Sequence, residues 1–150
     1  MRRNTFILFA LLSFCFEGMA QNKFNKQLAD SLHADDYGMK KYVLTILKTG
    51  SNQTKDKTVT DSLFRGHMDN IGRLAKEGKL VIAGPIVKNE KNYRGIFILN
   101  ASGIDEAQKM VQTDPAIAAH IFDVEFYEWY GSAALPMYLP YHEMISKENP

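Results

Sequence analysis

An α+β fold is predicted, with a four-stranded antiparallel sheet and two main helices on one face. Three observations lead there: runs of strand type and helix type follow one another as strand, helix, strand, strand, helix, strand; Gly, Pro, Asn and Asp punctuate the runs; and 150 residues with 45% hydrophobic and 23% charged content suit one globular domain. That order, βαββαβ, is the split βαβ or ferredoxin-like arrangement.

The globular part begins near Lys40. Tyr42-Val43-Leu44-Thr45-Ile46-Leu47 is the first strand run, and Gly50 to Thr58 is a polar loop. From Thr60 to Gly78 the period changes: Leu63, His67, Ile71 and Leu74 recur at helical spacing, and Gly78 supplies the stop. Leu80 to Ala83 is a short strand that Gly84-Pro85 ends, because proline cannot continue a central ladder. After a charged loop at Lys88 to Lys91, Gly95 to Leu99 is the third strand. Ser102 followed by Asp105 resembles a capping box and opens a helix with Ile104, Ala107 and Val111 on one side. Asp114-Pro115 starts a short helical turn. Phe122, Val124 and Phe126 then alternate with Asp123, Glu125 and Tyr127 as in a half-buried strand.

The sheet raises a problem of coverage. Val43 to Leu47 and Ile96 to Leu99 are apolar at nearly every position, so both faces of the sheet want burial. Two helices cover only one. The aromatic and proline-rich segment Trp129 to Tyr141 is expected to cover part of the second face, and a homodimer packed sheet to sheet is expected to cover the rest.

The N-terminus reads as a signal peptide over residues 1–20: Arg2 and Arg3, an apolar run from Phe6 to Phe16, then Gly18-Met19-Ala20 before the expected cut. The run is short for a helix that must span the bilayer, which takes about 20 residues. A lipidation site at Cys15 is the alternative, disfavoured because Phe14 stands where a small residue is needed. The mature protein is then expected to be periplasmic or secreted, with no membrane attachment. Residues 21–39 are a linker or short amphipathic helix carrying Phe24, Leu28 and Leu32, residues 40–131 the domain, and residues 132–150 a C-terminal extension.

Cleavage removes Arg2, Arg3, Glu17 and Cys15, leaving a neutral chain without cysteine. Disulfides, thiol nucleophiles and thiolate metal sites are therefore excluded. No field of one sign exists to recruit nucleic acid, and no P-loop or dinucleotide fingerprint occurs. Histidines, carboxylates, hydroxyls and lysines remain.

His67 stands out because it lies on the apolar helix stripe, where a buried imidazole is unfavourable unless its nitrogens are paired. It is either a core histidine bonded to a backbone carbonyl or a functional group. Asp114 is by spacing a helix N-cap before a proline. A cap carboxylate can still use its second oxygen to orient a histidine. His67, Asp114 and His120 would compose a metal site only if they converged, and no metal-binding spacing is present, so none is expected. His33 and His142, in polar terminal segments, read as solvated.

Arg65-Gly66-His67-Met68, Glu77-Gly78-Lys79-Leu80-Val81-Ile82-Ala83-Gly84-Pro85 and Thr113-Asp114-Pro115-Ala116-Ile117-Ala118-Ala119, with the strand at Phe122 to Trp129, resemble the YciI-like (YCII-related) family of dimeric α/β-barrel proteins over about residues 40–131. The resemblance implies a ferredoxin-like protomer, a dimer joined through its sheets, and a pocket where His67 and Asp114 form a catalytic dyad. Relatives commonly carry Gly where this chain has His120, which on this reading narrows the pocket rim or adds a donor to it. Tyr93 and Arg94, at the start of the third strand, are weaker candidates for touching an anionic or phenolic oxygen. The functional expectation is proton transfer on a compact phenolic or lactone-like substrate, of lyase or isomerase type and without a redox cofactor. The alternatives are a non-catalytic dimer that binds a small ligand in the same pocket and an accessory structural protein.

Overall fold

The computed structural model describes residues 24–147. The proposed signal peptide lies outside them. The main elements are strand β1 (Met39–Thr49), helix α2 (Lys57–Lys76), strands β2 (Leu80–Pro85) and β3 (Tyr93–Leu99), helix α3 (Ile104–Val111), a single-turn helix α4 (Pro115–Ala118) and strand β4 (Phe122–Ser132). Helix α1 (Lys26–Ser31) precedes them, and a 3-10 turn (Leu135–Tyr138) with helix α5 (Leu139–Ile145) follows. The strands form one sheet in the order β2-β3-β1-β4, every neighbouring pair antiparallel. This is the expected βαββαβ fold.

One face of the sheet carries the core. Val43 and Leu47 of β1, Phe97 and Leu99 of β3 and Phe122 of β4 pack against Leu74 of α2, Ala107, Met110 and Val111 of α3, and Ile117 of α4. Removing each such large side chain from water contributes about 1.5–3 kcal/mol. Thr45 points into the same layer, and its hydroxyl is buried without a hydrogen-bond partner.

Several local expectations change. Helix α2 starts at Lys57 rather than Thr60, because the carboxylate of Asp56 accepts from the backbone N–H groups of Thr58 and Val59. The cap of α3 is shifted by one residue from the expected Ser102–Asp105 pair. Gly103 is the N-cap, and Glu106 reaches back to the N–H and hydroxyl of Ser102 at 2.8 and 2.6 Å. Helix α1 lies in the segment read as a linker or short amphipathic helix; it buries no residue, and Phe24 is exposed.

On the second face, Tyr42, Val81 and Ile98 are buried, with Leu44, Ile82 and Leu135 packed around them. The C-terminal segment covers only this corner. It then turns around the outer edge of β2, where the Tyr138 hydroxyl donates to the Val81 carbonyl at 2.6 Å. Ile46 and Ile96 are half-buried, while Tyr127 and Trp129 are exposed.

Candidate functional site

Helix α2 delivers His67 to the core face, and the α3–α4 corner delivers Asp114. Asp114 is fully buried and caps α4: its Oδ1 accepts from the N–H groups of Ala116 at 2.9 Å and Ile117 at 3.3 Å, with Pro115 at the first helical position. Its Oδ2 receives the Nδ1–H of His67 at 2.6 Å. One carboxylate thus performs both tasks anticipated for it, helix cap and orienter of the imidazole.

The ring of His67 is fixed on its other sides by aromatic contacts. Phe97 stacks on it at 5.9 Å and Phe122 lies tilted at 5.2 Å, with Phe64 edge-on at 6.5 Å. With Nδ1 committed to Asp114, Nε2 is the free nitrogen. It bonds no group among the described residues and is not shut away from solvent.

His67 lines a cavity of about 550 Å³ between α2 and the β2–β3 side of the sheet. Phe64, Met68 and Ile71 of α2, Phe97 of β3 and Phe122 of β4 make most of its wall apolar. The polar contributors are few: His67, Arg94, Tyr138 and His142, with no carboxylate among the described residues that line it. Such a hollow, apolar with a few directed polar groups, is the usual form of a small-molecule site. An imidazole held by a carboxylate, its second nitrogen facing that space, can take a proton from a bound molecule and return it elsewhere.

The remaining sequence candidates separate. Arg94 lines the cavity and Tyr93 does not. The β1–β3 register slips between Leu47, which faces Gly95, and Lys48, which faces Tyr93. The irregularity at Arg94 places Tyr93 beside Lys48 on the opposite face of the sheet and turns Arg94 toward the hollow. His120 is not at the cavity rim. It follows α4 with φ +57° and lines a separate open hollow against α3 and β4, its Nδ1 3.4 Å from Asp123. Position 120 requires a left-handed backbone, which explains why glycine suits it. No three histidine, cysteine, aspartate or glutamate side chains among the described residues assemble as a metal-binding group, so His120 does not complete one with His67 and Asp114.

Sequence reasoning missed Tyr138, Leu139 and His142, which reach the cavity from the C-terminal extension. His142 is exposed, as expected, yet sits at the cavity opening rather than on an unrelated surface. Phe64 and Met68 carried a usable signal, because with His67 and Ile71 they form a second helical stripe on α2.

A family model for the YCII-related domain matches residues 41–130. No curated protein matches the chain. Among solved structures, the chain is similar to 5-chloro-2-hydroxyhydroquinone dehydrochlorinase from Burkholderia phenoliruptrix AC1100, solved in complex with 2,5-dihydroxybenzoquinone. The two are 20% identical, the alignment covers 58% of this chain and 92% of that one, and the TM-score is 0.41.

Proposed function

Because the chain belongs to the YCII-related domain family, and because its buried His67–Asp114 pair opens onto an apolar cavity, we propose that it is a small-molecule enzyme of lyase or isomerase type. His67 Nε2 takes a proton from a carbon or oxygen acid in the cavity. Asp114 holds the ring in the reactive tautomer and offsets the charge that forms on it. The same imidazole then returns the proton to another atom of the substrate or to a leaving group, so no redox cofactor is required. The single observation that carries this reading is the 2.6 Å bond between His67 Nδ1 and the cap carboxylate, with Nε2 left over for chemistry.

The protein acts, on this reading, as an exported homodimer. Export rests on the N-terminal pattern Arg2-Arg3, Phe6 to Phe16 and Gly18-Met19-Ala20. Dimerisation rests on the apolar second face of the sheet, which carries the half-buried Ile46 and Ile96 and the exposed rings of Tyr127 and Trp129.

The test is hydrogen exchange into small enolisable ketones, lactones and hydroxyquinones in D2O, followed by NMR. The natural protein is expected to accelerate exchange in at least one of them. His67→Asn, which keeps a donor near Asp114 and removes Nε2, is expected to abolish that acceleration with the fold retained. Equal exchange by protein and variant would overturn the proposal, and a retained but unaltered ligand would mark a binding protein instead.

A further inference from the structure

The YCII-related match ends at residue 130, yet the cavity does not. Downstream of β4 the chain turns over the free edge of β2 and contributes Tyr138, Leu139 and His142 to the cavity lining. Two observations fix this course. The Tyr138 hydroxyl is bonded to the Val81 carbonyl, an edge-strand acceptor that the sheet leaves open. Tyr138 and His142 then lie one helical turn apart, with ring centroids at 6.3 Å. Burial pushes the Tyr138 hydroxyl up from its ordinary pKa, so it stays a neutral donor in this bond.

We propose that this C-terminal strap completes the site, and that His142 is a specificity-determining residue which pairs with an acidic oxygen on an apolar-bodied ligand whose other end meets His67. The inference rests on the reading of the His67 cavity as the functional site. Its support is chemical. Among the described residues every titratable side chain on the lining is a donor type, two histidines, one arginine and one tyrosine, and no acid stands among them to repel an anion. His67 is 8% exposed and belongs to the interior. Arg94 and His142 are exposed and belong to the opening. Among the described residues His142 is not otherwise engaged by an acid, and Ser146 Oγ lies at 3.5 Å from its Nε2, the limit of a hydrogen bond. A ligand with a flat apolar body and one phenol or carboxylate group would fill the wall made by Phe97 and Phe122 and present its oxygen at the mouth.

The test uses 4-nitrophenol as the probe, with 4-nitroanisole as its neutral counterpart, titrated into the natural protein, His142→Ala and His67→Asn. Loss of a hydrogen bond to a charged oxygen is expected to weaken 4-nitrophenol about tenfold in His142→Ala, with 4-nitroanisole unchanged. Equal weakening of both probes would overturn the pairing with an acidic oxygen. Unchanged binding of both in His142→Ala, with weakening in His67→Asn, would overturn the role of the strap and leave the cavity reading intact. No binding by the natural protein, or identical binding by all three, would overturn both.

Discussion

Gly66 of α2 stands against the ring of Pro115 at the start of α4, so closely that a Cβ added at Gly66 would lie 2.5 Å from the proline Cγ. This contact sets how near α2 comes to α4, and hence whether His67, the next residue, can reach Asp114, the residue before Pro115. A proline ring has no flexible end to move aside. Gly66→Ala gains up to about 1 kcal/mol of helix propensity but incurs about 1–3 kcal/mol of overpacking. The expected result is a net loss of stability by denaturant titration, together with loss of the His67–Asp114 bond, seen as a shifted imidazole Nδ1–H resonance.

Asp114 offers a sharper separation of stability from chemistry. Asp114→Ala removes the cap, worth about 0.5–2 kcal/mol, and leaves a buried imidazole donor unsatisfied, worth about 1–3 kcal/mol more. Asp114→Asn keeps a carbonyl oxygen for the Ala116 and Ile117 N–H groups, but its NH2 group now faces His67 and drives the proton to Nε2. The Asn variant is therefore expected to stay close to natural stability while any His67-dependent proton exchange falls by about 10²–10⁴. Equal exchange in both proteins would show that the tautomer is irrelevant.

At position 120 the backbone is left-handed, with φ +57°, a conformation that disfavours a side chain by roughly 1–2 kcal/mol. The neighbouring Gly50 is forced for a related reason, since a Cβ there would run into the His120 carbonyl. His120→Gly is expected to leave ligand binding at the His67 cavity unchanged. It should raise stability by about 0.5–1 kcal/mol, with the greater freedom of glycine in the unfolded chain limiting the gain. Loss of binding in this variant would return His120 to the site.

Surface carboxylates give the fold an acid limit. Hydrogen bonds from Ser102 hold Glu106 below the usual carboxylate range, and those from Lys79 and Arg73 do the same for Glu77. Because the folded values are depressed, the stabilisation is fully present above the ordinary carboxylate range and is lost as pH falls through the depressed values. Thermal unfolding is expected to be flat near neutrality and to move to lower temperature on acidification. The shift should be smaller in Glu106→Gln, whose side chain does not titrate.

How much of this was legible in the sequence differs by element. The core strands and α2 announce themselves because their periodicity is the packing: Leu63, His67, Ile71 and Leu74 must share a face if the helix is to bury one. The pairing of His67 with Asp114 has no local signature, since 47 residues separate them. Only the family resemblance brought them together. The sequence does not separate Tyr93 from Arg94, because alternation in a strand is reliable only where the ladder is regular, and one slip at Arg94 reverses the faces. The strap was unreadable for another reason. Its attachment is one tyrosine bonded to an edge carbonyl and one leucine, Leu135, packed at a corner of the sheet, which leaves no period in the sequence.

The second face of the sheet carries the last prediction. Ile46 and Ile96 are paired across β1 and β3 near the middle of the sheet, and Leu135 packs only at the corner occupied by Tyr42, Val81 and Ile98. The Lys48–Glu125 ion pair, at 2.6 Å, lies on the same face and is about one-third exposed on each side chain, so it can remain wet at the rim while the isoleucines are covered. A second copy of the sheet supplies that cover without a new element. At micromolar concentration, sedimentation velocity is expected to give a dimer, and the emission of the single tryptophan, Trp129, is expected to shift to the red on dilution. Ile96→Lys places a charge at the centre of the proposed contact and should give a folded monomer, because its position is half-buried rather than core. A natural protein that sediments as a monomer would require another cover for these isoleucines.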